Sequence, residues 1–181
     1  MKKRATIVVD LQNEYLPTGK LPLVGLDSAL ANAARVIAAA RLKGELLIHV
    51  RHEEAEPDAP AFAPGTVGVQ IIPVVAPLDG EPVIIKNYPN SFRGTQLKEL
   101  LNAQGITELV VIGAMSHMCI EATGRAAADQ GYHVTVAHDA CATMNLEFDE
   151  TEVPAAQVHA VSMASLGFGY ATITTTDKHL S

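Results

Sequence analysis

A thiol, an ammonium and a carboxylate can together carry out acyl transfer, and the chain places one of each after a strand-like run. Cys119 lies in "GAMSHMCIEATGRAAADQG" (113–131), between the apolar run "ELVVI" (108–112) and an alanine-rich stretch that stops at Gly131. Asp10 directly follows "ATIVV" (5–9), and Lys86 ends "PVIIK" (82–86). The thiolate is the reactive form of cysteine, and a free thiol titrates near pH ~8.5. A helix start and a nearby ammonium both favour the anion, while a carboxylate can take the proton and return it to a leaving group. Each residue alone has a plain structural use. Asp ends strands and caps helices, Lys is solvated, and a lone Cys packs as a small hydrophobe. Their combination at three strand ends is what points to chemistry.

The elements that must position them alternate. Short β-branched runs at 5–9, 46–50, 82–86, 108–112, 133–137 and 170–174 read as strands. Between them, Asp27 or Ser28 can cap a helix that ends at Gly44, and residues 95–102 carry Leu97, Leu100 and Leu101 on one side. The stretch after Cys119 reads as the next helix. Asp149 and Glu152 stand at capping-box spacing before a last one that fades near Gly167. Continuous apolar strands separated by helices imply a parallel sheet covered on both faces. The expected fold is α/β: a single-domain, Rossmann-like three-layer sandwich spanning residues 1–181, with about six parallel strands. In such sheets ligands sit beyond the carboxyl ends of the strands, where all three residues fall. Residues 51–81, proline-rich and without periodicity, form a long loop of the kind that is usually functional.

Composition narrows the partners. The 181 residues are 48% hydrophobic and 18% charged, with a net charge of −7, which suits one compact domain. No run of Lys or Arg forms a phosphate-binding stripe, so neither nucleic acid nor an anionic membrane is expected as a partner. Two cysteines, Cys119 and Cys141, make no disulfide framework. No apolar run is long enough to span a bilayer, and the cytoplasm is the expected location.

The stretches "VVDLQNEY" (8–15), "VIIKNYPNSFRGTQLKELL" (83–101) and "VVIGAMSHMCIEATGRAAADQGYHVTVAHDACAT" (110–143) closely resemble the isochorismatase-like cysteine hydrolases, which include nicotinamidases, isochorismatases and several amide and carbamoyl-compound hydrolases. The resemblance extends through "GTVGVQIIPVVAP" (65–77) and "ATITTTDKHL" (171–180). It implies that Asp10 is the general base, Lys86 the triad lysine and Cys119 the nucleophile. The backbone N–H groups of Met115 and Cys119 would form the oxyanion hole, with a cis Ala114–Met115 peptide. Tyr15, Phe92 and His117 are the pocket candidates. Rapid, selective alkylation of Cys119 by iodoacetamide is expected of such a nucleophile.

Nicotinamidases of this family hold a metal through an Asp-x-His element after the second strand. Here "HVRHEEAEP" (49–57) puts His52 and Glu54 at those positions. His49 and His52 could ligate in principle, but without a third partner they read as packing and surface residues. No metal and no cofactor are expected, and nicotinamide is disfavoured as substrate. Cys141 reads as packing and Asp139 as fixing its loop. The expected activity is metal-independent hydrolysis of a C–N bond in a small amide, imide, ureide or carbamoyl compound, through a thioester. A vinyl-ether-cleaving isochorismatase and a non-catalytic binding module are the alternatives. By analogy with the family, a homo-oligomer (dimer or tetramer) is expected.

Overall fold

A computed structural model describes residues 3–181. Six parallel strands form the sheet: β1 (Arg4–Val9), β2 (Leu46–His52), β3 (Val83–Lys86), β4 (Glu108–Ala114), β5 (His133–Ala142) and β8 (Ala171–Thr174), in the order β3-β2-β1-β4-β5-β8. The helices are α1 (Leu26–Leu42), α2 (Leu97–Ala103), α3 (Glu121–Asp129), α4 (Ala155–Gly169) and α5 (Thr176–Leu180). Strand alternation divides the core in two. Val8, Val110 and Ile112 point to the α1 side with Leu30, Ala33 and Ile37. Ile7, Val9 and Val111 point the other way, against Leu97 and Leu101 of α2, Ile120, Ala127 of α3 and Leu166 of α4. The period-2 pattern of each strand thus fills both faces, as a doubly covered sheet requires.

The strand order reverses direction between β1 and β4, and the crevice at such a switch point is where α/β sheets bind ligands. Gly113 makes the turn there possible. Its φ is +128°, and a Cβ at this position would lie 1.9 Å from the carbonyl oxygen of Val9 on the neighbouring strand. Only glycine lets β1 and β4 approach so closely just before the loop that leads to Cys119.

Three expectations are corrected. Helix α1 starts from Gly25, whose φ is 72°, and Asp27 lies inside its first turn rather than capping it. Asp149 and Glu152 belong to a hairpin of β6 (Leu146–Phe148) and β7 (Thr151–Val153), not to a capping box. Asp149 and Glu150 turn that hairpin with φ of 48° and 60°, the left-handed pair of a tight turn. Helix α4 follows Pro154 instead, and the side chain of Asn145 accepts the N–H of Ala155. Strand β5 also runs on to Ala142, across an irregularity opposite Val111–Gly113, which carries Cys141 into the sheet.

Candidate active site

The first strand delivers Asp10 in a left-handed conformation, φ 52°, which Asp tolerates better than most residues. The third delivers Lys86, and β4 leads through Met115 into a wide helical turn over 116–120 that carries Cys119. In that turn the N–H of Ile120 donates to the carbonyl of Met115 (3.2 Å), a π-type bond of the sort that recurs at functional sites. The Ala114–Met115 peptide is cis.

The three side chains meet in the interior. Lys86 Nζ lies 2.7 Å from Asp10 Oδ2 and 3.3 Å from Cys119 Sγ. Asp10 is 0% exposed, Lys86 1% and Cys119 6%. Both Asp10 oxygens are fully buried, and Oδ2 is held by the ion pair with Lys86 rather than by a well-aligned hydrogen bond. Burial, and then the Asp10 carboxylate, push the Cys119 thiol well above its ordinary range, and Lys86 offsets this only in part. For Lys86, burial works against the ammonium, but the charges of Asp10 and Cys119 outweigh it and the net shift is upward. Desolvation and the neighbouring carboxylate thus work against a second negative charge on Cys119, while Lys86 works for it.

Cys119 floors a cavity of about 570 Å³, a size that suits a small molecule. Its apolar wall is Tyr15, Leu21, Phe62, Met115 and Met118, with Tyr15 and Phe62 edge to face at 5.3 Å. Its rim carries Glu54, Glu56 and Asp58, and neither Lys nor Arg lines it. A larger hollow of about 660 Å³ lies at the opposite edge of the sheet, among Arg4, Arg41, Glu45 and Glu81, and holds no nucleophile.

The long 51–81 segment supplies much of this cavity. It is sewn to the start of the chain by backbone bonds from Asn13 N to Gln70 O and from Glu14 N to Gly68 O. The buried Glu14 carboxylate accepts the N–H of Phe62 at 2.9 Å, which sets the aromatic wall. Among the pocket candidates, Tyr15 lines the cavity and its phenol is held neutral by burial and the neighbouring Asp10. Phe92 does not line it, because it packs in the core beneath the other face, stacked on Tyr132 at 6.1 Å. His117 does not either, because its Nδ1 is bonded to Thr143 Oγ1 at 2.7 Å. Cys141 is buried, its thiol pushed up to about 12 by desolvation, and bonds to Ala137 O. Asp139 accepts from the N–H and hydroxyl of Thr176 at the start of α5.

The two histidines of the "HVRH" stretch part company. His49 is buried against Glu81, 3.2 Å away, whereas His52 reaches the cavity and Lys86. Among the described residues no group of three or more His, Cys, Asp or Glu is placed to hold a metal ion. The sequence reading took His52 for a packing or surface residue and missed its contact with Lys86. His52 ends the strand lying between those of Asp10 and Lys86, and that position was its available signal.

A buried thiol, carboxylate and lysine thus meet at the switch point of a parallel α/β sheet. The profile of the isochorismatase domain matches residues 4–176, and the chain belongs to that family. It is 45% identical to the isochorismatase family protein YddQ of Bacillus subtilis over 176 residues, covering 97% of this chain and 98% of that one. It is 31% identical to a maleamate amidohydrolase of Pseudomonas putida over 157 residues, 76% of this chain and 71% of that one. The crystal structure of an isochorismatase-type hydrolase from Oleispira antarctica superimposes with a TM-score of 0.95 at 46% identity, covering 99% of this chain and 96% of that one.

Proposed function

We propose that the chain is a cysteine hydrolase that cleaves a C–N bond in a small amide, imide, ureide or carbamoyl compound, with Asp10, Lys86 and Cys119 as its triad. The observation that carries this reading is the position of Lys86 Nζ, between Asp10 Oδ2 and Cys119 Sγ, with Cys119 alone of the three lining the cavity. The thiol proton passes to Asp10 as sulfur attacks the carbonyl carbon. The C–S bond forms, and the oxyanion is received by the N–H groups of Met115 and Cys119. One such donor typically lowers the barrier by ~2.7–4 kcal/mol. The intermediate collapses, the C–N bond breaks, and Asp10 returns its proton to the departing nitrogen. Water, deprotonated by the same carboxylate, then opens the thioester, and the thiol is restored. Lys86 keeps its ammonium throughout, balancing whichever of Asp10 and Cys119 carries the charge. No step needs a metal.

The cavity rim supports amide over isochorismate cleavage. Isochorismate is a dicarboxylate, and it would meet Glu54, Glu56 and Asp58 with no lining cation to hold it. Maleamate, the substrate named for one relative, would face the same repulsion. A homo-oligomer is supported by the outer face of α4. That helix has no charged residue, and Val161 is 69% and Phe168 96% exposed. Light scattering giving a 19.2 kDa monomer would count against it.

The test of the hydrolase reading is ammonia release from a panel of small amides and ureides, with acid quench and mass spectrometry to trap an acyl adduct on Cys119. A Cys119→Ala variant with wild-type turnover would overturn it.

A further inference from the structure

The ammonium of Lys86 has three protons and no acceptor capacity. Three atoms stand around it: Asp10 Oδ2 at 2.7 Å, Cys119 Sγ at 3.3 Å and His52 Nδ1 at 3.2 Å. A lysine that only donates can bind only the lone-pair nitrogen of an imidazole, so the ring proton of His52 belongs on Nε2. That nitrogen lies 3.2 Å from Glu54 Oε1, an acceptor. The ring is further held edge-on by Phe62, centroids 5.2 Å apart at 90°. Its backbone is clamped on both sides by the buried side chain of Gln12, which accepts from His52 N and donates to His52 O, each at 2.8 Å.

Resting on the hydrolase reading above, we propose that His52 is a positioning residue for the triad. By taking the third proton of Lys86 it leaves the other two aimed at Asp10 and Cys119. Glu54 fixes the tautomer that makes this possible. Without His52 the ammonium has one free donor and can swing towards water or substrate in the cavity. The positions that would offer a metal its ligands in a nicotinamidase here steer the lysine instead.

The test compares His52→Asn with His52→Leu. The Asn side-chain oxygen falls close to where Nδ1 lies and keeps an acceptor for Lys86, whereas Leu fills the space without one. The expected result is a kcat loss on the order of 10²-fold for Leu, as a misaimed catalytic group gives. KM should be little changed, and Asn should recover most of the loss. Imidazole ¹⁵N spectra of the wild-type protein should show His52 as an Nε2–H tautomer with a lone pair on Nδ1. The Nδ1 resonance should shift in Lys86→Met. Equal losses for Asn and Leu, wild-type kcat for Leu, or a proton on Nδ1 would each overturn the proposal. The spectra need no substrate. The expected tautomer in a protein that releases no ammonia from any amide would therefore sink the hydrolase reading and leave the Lys86–His52 contact standing.

Discussion

At the scale of single residues, the site is governed by one buried ion pair. Asp10 and Lys86 are both out of water, and each is affordable only because of the other. Lys86→Ala should therefore destabilise the fold by ~3–5 kcal/mol in denaturant titrations as well as end turnover, since it strands a buried carboxylate. Cys119→Ala removes no charge and should abolish ammonia release while leaving the unfolding midpoint near wild type. Asp10→Asn separates the two roles of the carboxylate. Asn tolerates the left-handed backbone at this position. The substitution removes a charge that raises the Cys119 thiol while Lys86 remains to lower it. The expected outcome is faster iodoacetamide alkylation of Cys119 at neutral pH together with loss of turnover. Slower alkylation in this variant would contradict the electrostatics of the site.

At the scale of elements, the close approach of β1 and β4 decides where the nucleophile loop can run. Gly113→Ala should destabilise by more than the ~1–3 kcal/mol that an unfavourable dihedral costs by itself, because its Cβ would press on Val9 O at 1.9 Å. Urea unfolding measures this, and a change under 1 kcal/mol would mean the two strands can part cheaply. The β2–β3 connection supplies much of the cavity wall, and its cavity-facing part is pinned through Glu14. Much of the strand and helix order was legible in sequence because apolar periodicity is local. The hairpin of β6 and β7 was not, because Asp149 and Glu152 have the same spacing as a capping box, and only the left-handed turn at 149–150 tells the two apart.

At the scale of the whole molecule, charge bears on stability and, on the proposed function, on the expected substrate preference. Glu81, bonded first by Arg41 and also by Leu78 N and His49, has its carboxyl lowered from 4.5 to about 2. A depressed acid stabilises the fold above its unfolded value, and that contribution is lost as pH falls from about 4.5 towards 2. His49, its imidazole lowered by burial from an ordinary 6.5, adds to the same side, since the unfolded chain takes up a proton the folded one refuses. Stability should thus decline as pH drops below about 6.5 and more steeply below 4.5, and Glu81→Gln should remove the second part of the decline. The net charge of −7 and the acidic cavity rim favour neutral or cationic amides over anionic ones. Steady-state kcat/KM on matched amides differing only in charge checks this, and added salt should narrow the difference. Equal rates for the anionic analogue would show that the rim does not face the bound substrate.

What the amino-acid order determined by itself was the layered α/β plan and the carboxylate, lysine and thiol at three strand ends, because strand period and strand termination depend on near neighbours in the chain. What only the tertiary structure decided was the state and surroundings of those groups. The upward push on the thiol follows from desolvation. The third acceptor on Lys86 follows from β2 lying between β1 and β3. The exclusion of Phe92 and His117 follows from Tyr132 and Thr143 claiming them. Dielectric surroundings, hydrogen-bond valence and competition between partners distant in sequence are properties of packed space, and they appear only once the chain has folded.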